Sequence, residues 1–199
     1  MAKYQEYWSG KEEEYAQQYE YNETDEQLWS VILWFRKQDE KTRQSWTNWG
    51  AEKRTGEPYI HVEIFFLENA VTFTVDLRKP VTMIEGGNDY TDSKKWEGVR
   101  VFLTEREYND MFTFCEKELG KPFDKSGIYF FDFKFCCTTP IEDEAWICSR
   151  LITKAFIVSG VFDVTVDYKT ITPPKLRKLA WNLEREGRVV QDASYFHRQ

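Results

Sequence analysis

The chain has 199 residues, 41% of them hydrophobic and 17% aromatic, with 31% charged. That length suits one domain with a sizeable core, and the composition is too apolar for a disordered chain. The net charge of −7 includes no basic face of the kind a phosphate backbone needs, which argues against nucleic acid as a partner. No apolar run reaches the roughly 18–20 residues of a transmembrane segment, and the start, MAKYQEYWSGKEEEY, has no secretory pattern.

The charge is unevenly spread. Residues 1–26 carry eight acids against Lys3 and Lys11, a balance of −6, so the remainder is close to neutral. This acidic N-terminal arm also places Tyr4, Trp8, Tyr15 and Tyr19 on one side of a helix, if a helix forms around Gly10. A solvated tail and a docking helix both fit. The expected organisation is the arm at 1–26, one α+β domain at 27–190 and a polar tail at 191–199.

Trp29–Phe35 is a compact apolar run, read as a buried strand, and the polar, Trp-rich stretch from Arg36 to Pro58 as a long loop. Tyr59–Leu67 and Val71–Leu77 form a hairpin joined by Glu68-Asn69-Ala70. Val99–Leu103 is another strand. Thr104 and Glu107 make a capping box for a helix to about Leu119, with Tyr108, Met111, Phe112, Cys115 and Leu119 as its apolar stripe and Gly120 as its stop. Ile128–Cys137 could be strand or buried irregular chain. After the acidic turn Glu142-Asp143-Glu144, a helix is expected from about Ala145 to Ser159, then an alternating strand at Val161–Tyr168. Thr172-Pro173-Pro174 starts a last helix.

Two histidines and four cysteines carry the chemistry to be weighed. Their spacing matches neither a zinc signature nor a disulfide framework, so a reducing compartment fits. His197 lies three residues from the end, which leaves His61 to the domain. It shares a strand face with Glu63, and from residue type alone a lone strand histidine is more often structural than catalytic. Cys148 falls in the first turn of its helix, where free N–H groups and the helix dipole stabilise a thiolate and could hold an oxyanion. It also shares a face with Leu151, Ile152 and Ala155, so a core cysteine fits as well. Cys115 reads as core outright, and Cys136 and Cys137 as structural. Asp76, at the end of the next strand, could orient His61; its other reading is a turn residue, and Glu63 competes for the role.

The order of these segments resembles the circularly permuted papain-like superfamily, which includes NlpC-type and lecithin–retinol acyltransferase-like proteins. The matching stretches are Tyr59-Ile60-His61-Val62-Glu63-Ile64, Thr74-Val75-Asp76-Leu77, Gly120-Lys121-Pro122-Phe123-Asp124, Trp146-Ile147-Cys148-Ser149-Arg150-Leu151-Ile152 and Ile171-Thr172-Pro173-Pro174-Lys175-Leu176. They span about residues 27–185. The resemblance implies a papain-like fold with an antiparallel sheet against the cysteine helix. It also implies Cys148 as nucleophile, His61 as base and Asp76 as the orienting residue, acting on a peptide, amide or ester without cofactor or metal. Arg150 stands where many relatives carry an acid. Permuted members also occur in large DNA viruses. A catalytically idle protein of a virion assembly, docked through residues 1–26, is therefore the alternative to a cytoplasmic cysteine hydrolase or acyltransferase.

Overall fold

The computed structural model describes residues 29–38, 57–88, 90–124, 145–183 and 187–190. The acidic arm, the polar tail with His197, most of the loop before Pro58, the Ile128–Cys137 run with Cys136 and Cys137, and the turn at Glu142-Asp143-Glu144 lie outside them. The described chain is α+β. Five strands, β1 (Trp29–Lys37), β2 (Tyr59–Phe66), β3 (Val71–Asp76), β4 (Lys79–Glu85) and β5 (Trp96–Leu103), form one antiparallel sheet. A two-residue strand, β6 (Val189–Val190), extends it, and the order is β4-β3-β2-β1-β5-β6. The helices are α1 (Glu105–Lys117), α2 (Cys148–Val158) and α3 (Pro173–Asn182).

The apolar run of β1 is buried on both faces, which is why it does not alternate with polar residues. Val31, Leu33 and Phe35 join Val62, Ile64 and Phe66 of β2, Phe73 and Val75 of β3, and Val99 and Val101 of β5 in the main core with the helices. Ile32 and Trp34 face the other way, into a smaller cluster with Phe65 and Trp96. Helix α2 drives Leu151, Ile152, Ala155 and Phe156 into the main core, all at most 1% exposed. Each of the larger side chains among them contributes about 1.5–3 kcal/mol on burial.

Local chemistry sets the element boundaries. The Thr104–Glu107 capping box closes reciprocally at the start of α1, and Cys115 is fully buried on its inner face. Leu119, expected on that stripe, lies beyond the helix and is 41% exposed. Thr172 accepts from Lys175 N at the start of α3, with Pro173 as its first residue. The hairpin forms as expected, with its turn at Leu67–Ala70.

Three features differ from the sequence expectation. β4 was not foreseen, because it is an outer strand whose residues other than Val81 are mostly exposed and which begins Lys79-Pro80. Val161–Tyr168 is not a strand. The Asp163 carboxylate accepts from Thr165 N and that of Asp167 from Lys169 N, and such local bonds favour turns over a ladder. Helix α2 begins three residues after Ala145, because Trp146 is bridged to Phe123: Trp146 N donates to Pro122 O and Asp124 N to Trp146 O.

Candidate active site

That bridge holds the chain extended up to Ile147, so that Cys148 becomes the first residue of α2. No side chain caps this helix start and no acid lies in its first turn. Arg150 N and Leu151 N both donate to Ile147 O, which leaves the N–H groups of Cys148 and Ser149 to serve the thiol or an anion beside it. Behind Cys148, the buried Arg150 donates through Nη1 to Asp124 Oδ2 at 3.0 Å. The cationic residue at this position thereby ties the helix start to the Gly120–Asp124 segment.

His61 reaches the same place from the sheet. The ladder between β2 and β3 covers Ile64–Phe66 against Val71–Phe73, so His61 lies past its last rung. The Cys148 sulfur is within hydrogen-bonding reach of the imidazole. Burial alone would pull the His61 pKa down, but the Cys148 side chain, and after it the Glu63 carboxylate, outweigh burial and push it up to about 10. Cys148 is 5% exposed and the His61 side chain 15%, so the pair sits in a shielded setting where charges act strongly on each other.

The third group is Glu63, 4% exposed. Its Oε1 lies 3.2 Å from His61 Nε2 and accepts from Thr74 Oγ1 at 3.1 Å, while Oε2 accepts from Asn88 Nδ2 and Tyr90 OH, both at 2.7 Å. Burial raises a carboxylate pKa, yet hydrogen bonds from His61, Tyr90 and Asn88 hold that of Glu63 below its ordinary value. Tyr90 is held above the ordinary phenol range by burial and by the Glu63 charge, so it remains a donor.

This network fixes the histidine tautomer. An ionised carboxylate can only accept. The Thr74 hydroxyl spends its single proton on Glu63, and so it too can only accept from His61 Nε2, 3.2 Å away. Nε2 therefore carries the hydrogen, and Nδ1 is the nitrogen left for the thiol. Such an arrangement can take a proton from a thiol at Nδ1 while a buried anion stabilises the resulting imidazolium.

Of the residues singled out in the sequence, the structure brings Cys148 and His61 together and leaves Asp76 aside. The Asp76 carboxylate accepts from Arg78 N at 2.7 Å, in the turn that follows its strand. The carboxylate that meets His61 is instead that of Glu63, because alternation along β2 puts residues 61 and 63 on one face. Cys115 is a core residue of α1, with its thiol pushed far up by burial.

Thr74, Asn88 and Tyr90 were not anticipated. Their one sequence signal is Gly86-Gly87 after β4, both at positive φ. A Cβ on Gly87 would stand 2.8 Å from Thr72 Oγ1 and 3.0 Å from the Tyr90 ring, so only glycine lets this loop fold back onto Glu63. Among the described residues, no group of three or more His, Cys, Asp or Glu side chains is placed to hold a metal ion, and no helix is long and apolar enough to cross a membrane. Comparison of the chain with protein-family models, curated proteins and solved structures gave no match.

Proposed function

We propose that this protein is a cysteine hydrolase of the amidase or peptidase kind, or an acyltransferase, built on a permuted papain-like domain. The reading rests on one arrangement: a thiol at an uncapped helix start, beside an imidazole whose other nitrogen is held by a buried carboxylate.

The chemistry that follows is acyl transfer. The Cys148 sulfur gives its proton to His61 Nδ1 and attacks a peptide, amide or ester carbonyl. The N–H groups at the start of α2 stabilise the oxyanion. His61 then returns the proton to the departing amine or alcohol, leaving a thioester on Cys148. Water or another acceptor, deprotonated by the same nitrogen, attacks the thioester and releases the acyl group, and the proton goes back to the sulfur. The shielding of the pair and the fixed tautomer both favour this proton traffic.

Selective alkylation tests the reading. With iodoacetamide and the native protein, Cys148 should be labelled ahead of Cys115, Cys136 and Cys137, as resolved by peptide mapping. His61→Ala should slow Cys148 labelling at neutral pH about ten-fold or more, since an unassisted thiol is only a few per cent ionised there. Equal labelling of the four cysteines, or indifference of Cys148 to His61→Ala, would leave an idle protein of the same fold as the better account.

A further inference from the structure

We propose that Asn88 and Tyr90 are positioning residues that clamp the Glu63 carboxylate and thereby dictate which nitrogen His61 offers to Cys148; the inference rests on the cysteine–histidine reading above. The Glu63 carboxylate has about four acceptor sites, and four neighbours address them, two on each oxygen. His61 and Thr74 take Oε1, and Asn88 and Tyr90 take Oε2. Without the second pair the carboxyl group could rotate or pick up a proton. A protonated Glu63 could donate to His61 Nε2, which would reverse the tautomer and remove the base from the thiol side.

The clamp is built rigidly. Tyr90 stacks on Trp34 with ring centroids 4.5 Å apart and planes 4° apart, and meets Trp96 edge-on at 5.1 Å. Trp96 in turn lies edge-on to the His61 ring at 6.5 Å. The Tyr90 hydroxyl also lies 3.2 Å from Thr72 Oγ1. The two clamping side chains come from the loop after β4, whereas Glu63 and His61 come from β2 and Thr74 from β3. The titratable groups facing Glu63 and its partner are His61 on β2, Tyr90 on the loop and Cys148 on α2. The clamp therefore couples three separate parts of the chain to the state of one imidazole. A purely structural polar cluster needs no such ionised centre.

Tyr90→Phe is the informative change, because it removes the hydroxyl and keeps the ring on Trp34. Glu63 loses a donor and becomes easier to protonate. The loss of Cys148 reactivity toward iodoacetamide on the acid side should then move to higher pH, by about one unit. The ring ¹⁵N shifts of His61, read at a pH above its pKa of about 10 where the ring is neutral, should also move from the Nε2–H form toward a mixture of tautomers. Asn88→Ala should act in the same direction, and it serves as the test if Tyr90→Phe does not fold. Wild-type pH profile and ring shifts in either folded variant, alongside slow labelling in His61→Ala, would overturn the clamp and leave the dyad standing. If His61→Ala labels as fast as wild type, the dyad has failed and the clamp falls with it.

Discussion

Replacing Glu63 with Gln should lower Cys148-dependent turnover by about a hundred- to ten-thousand-fold. The substitution keeps the size of the side chain but removes the charge that supports a protonated His61. It also points an amide NH₂ at groups that donate. Whichever way the amide turns, its nitrogen meets either Asn88 Nδ2 and Tyr90 OH or Thr74 OH and His61 Nε2–H. One such mismatch costs about 1–3 kcal/mol when buried. The effect on stability should depend on pH. The His61 pKa rises on folding from 6.5 to about 10, so its contribution is full below 6.5 and is lost as pH climbs through about 10. Glu63 moves down on folding, so its contribution is full above 4.5 and is lost as pH falls through its lowered native value. The gap in melting temperature between wild type and Glu63→Gln should therefore be widest between these limits and should narrow toward both extremes. Asp76→Asn, which touches only the turn at Arg78, should change turnover little. The reverse pattern, with Asp76→Asn damaging and Glu63→Gln silent, would return the orienting role to Asp76.

Breaking the buried ion pair beneath the thiol should be the costliest single change to the fold. Arg150→Met leaves the Asp124 carboxylate buried without its guanidinium and should destabilise the domain by about 3–5 kcal/mol in chemical denaturation. Asp124 also donates its backbone N–H to Trp146 O, so the loss should loosen the extended stretch that delivers Cys148. The double change Arg150→Met with Asp124→Leu, which removes both charges, should recover much of the loss. No recovery would mean that the pair matters through contacts other than its charges. A single variant as stable as wild type would mean that the bridge between Phe123 and Trp146 holds without it.

The parts of this architecture legible in the sequence are those dictated locally. The apolar run of β1, the reciprocal cap at Thr104 and Glu107, and Thr172 before two prolines each carry their structure within a few residues. Cys148 in the first turn of a helix belongs with them, since the apolar spacing from Cys148 through Leu151, Ile152 and Ala155 and Gly160 after the helix mark the element. What depended on distant partners was not legible. β4 is held by pairing with β3 and by backbone bonds between Val81 and the Gly120–Lys121 turn, not by any apolar pattern of its own. That His61 and Glu63 share a face was legible from the alternation along β2, whereas the turn that takes up the Asp76 carboxylate and the point where the ladder from β2 to β3 stops were not. Arg150 read as a departure from an acidic position, and its partner lies 26 residues away. Asn88 and Tyr90 reach Glu63 only because Gly86 and Gly87 turn the chain back.

The central claim is that Cys148 carries an acyl group in the course of a reaction. The protein should be mixed with a small activated ester such as p-nitrophenyl acetate, quenched in acid within the first turnover, and digested for mass spectrometry. The account expects one acetyl group per chain, on Cys148 and labile to hydroxylamine, formed at least ten-fold more slowly in His61→Ala and absent in Cys148→Ala. Acetyl spread over lysines and several cysteines, or the same burst of p-nitrophenol from Cys148→Ala as from wild type, would contradict it.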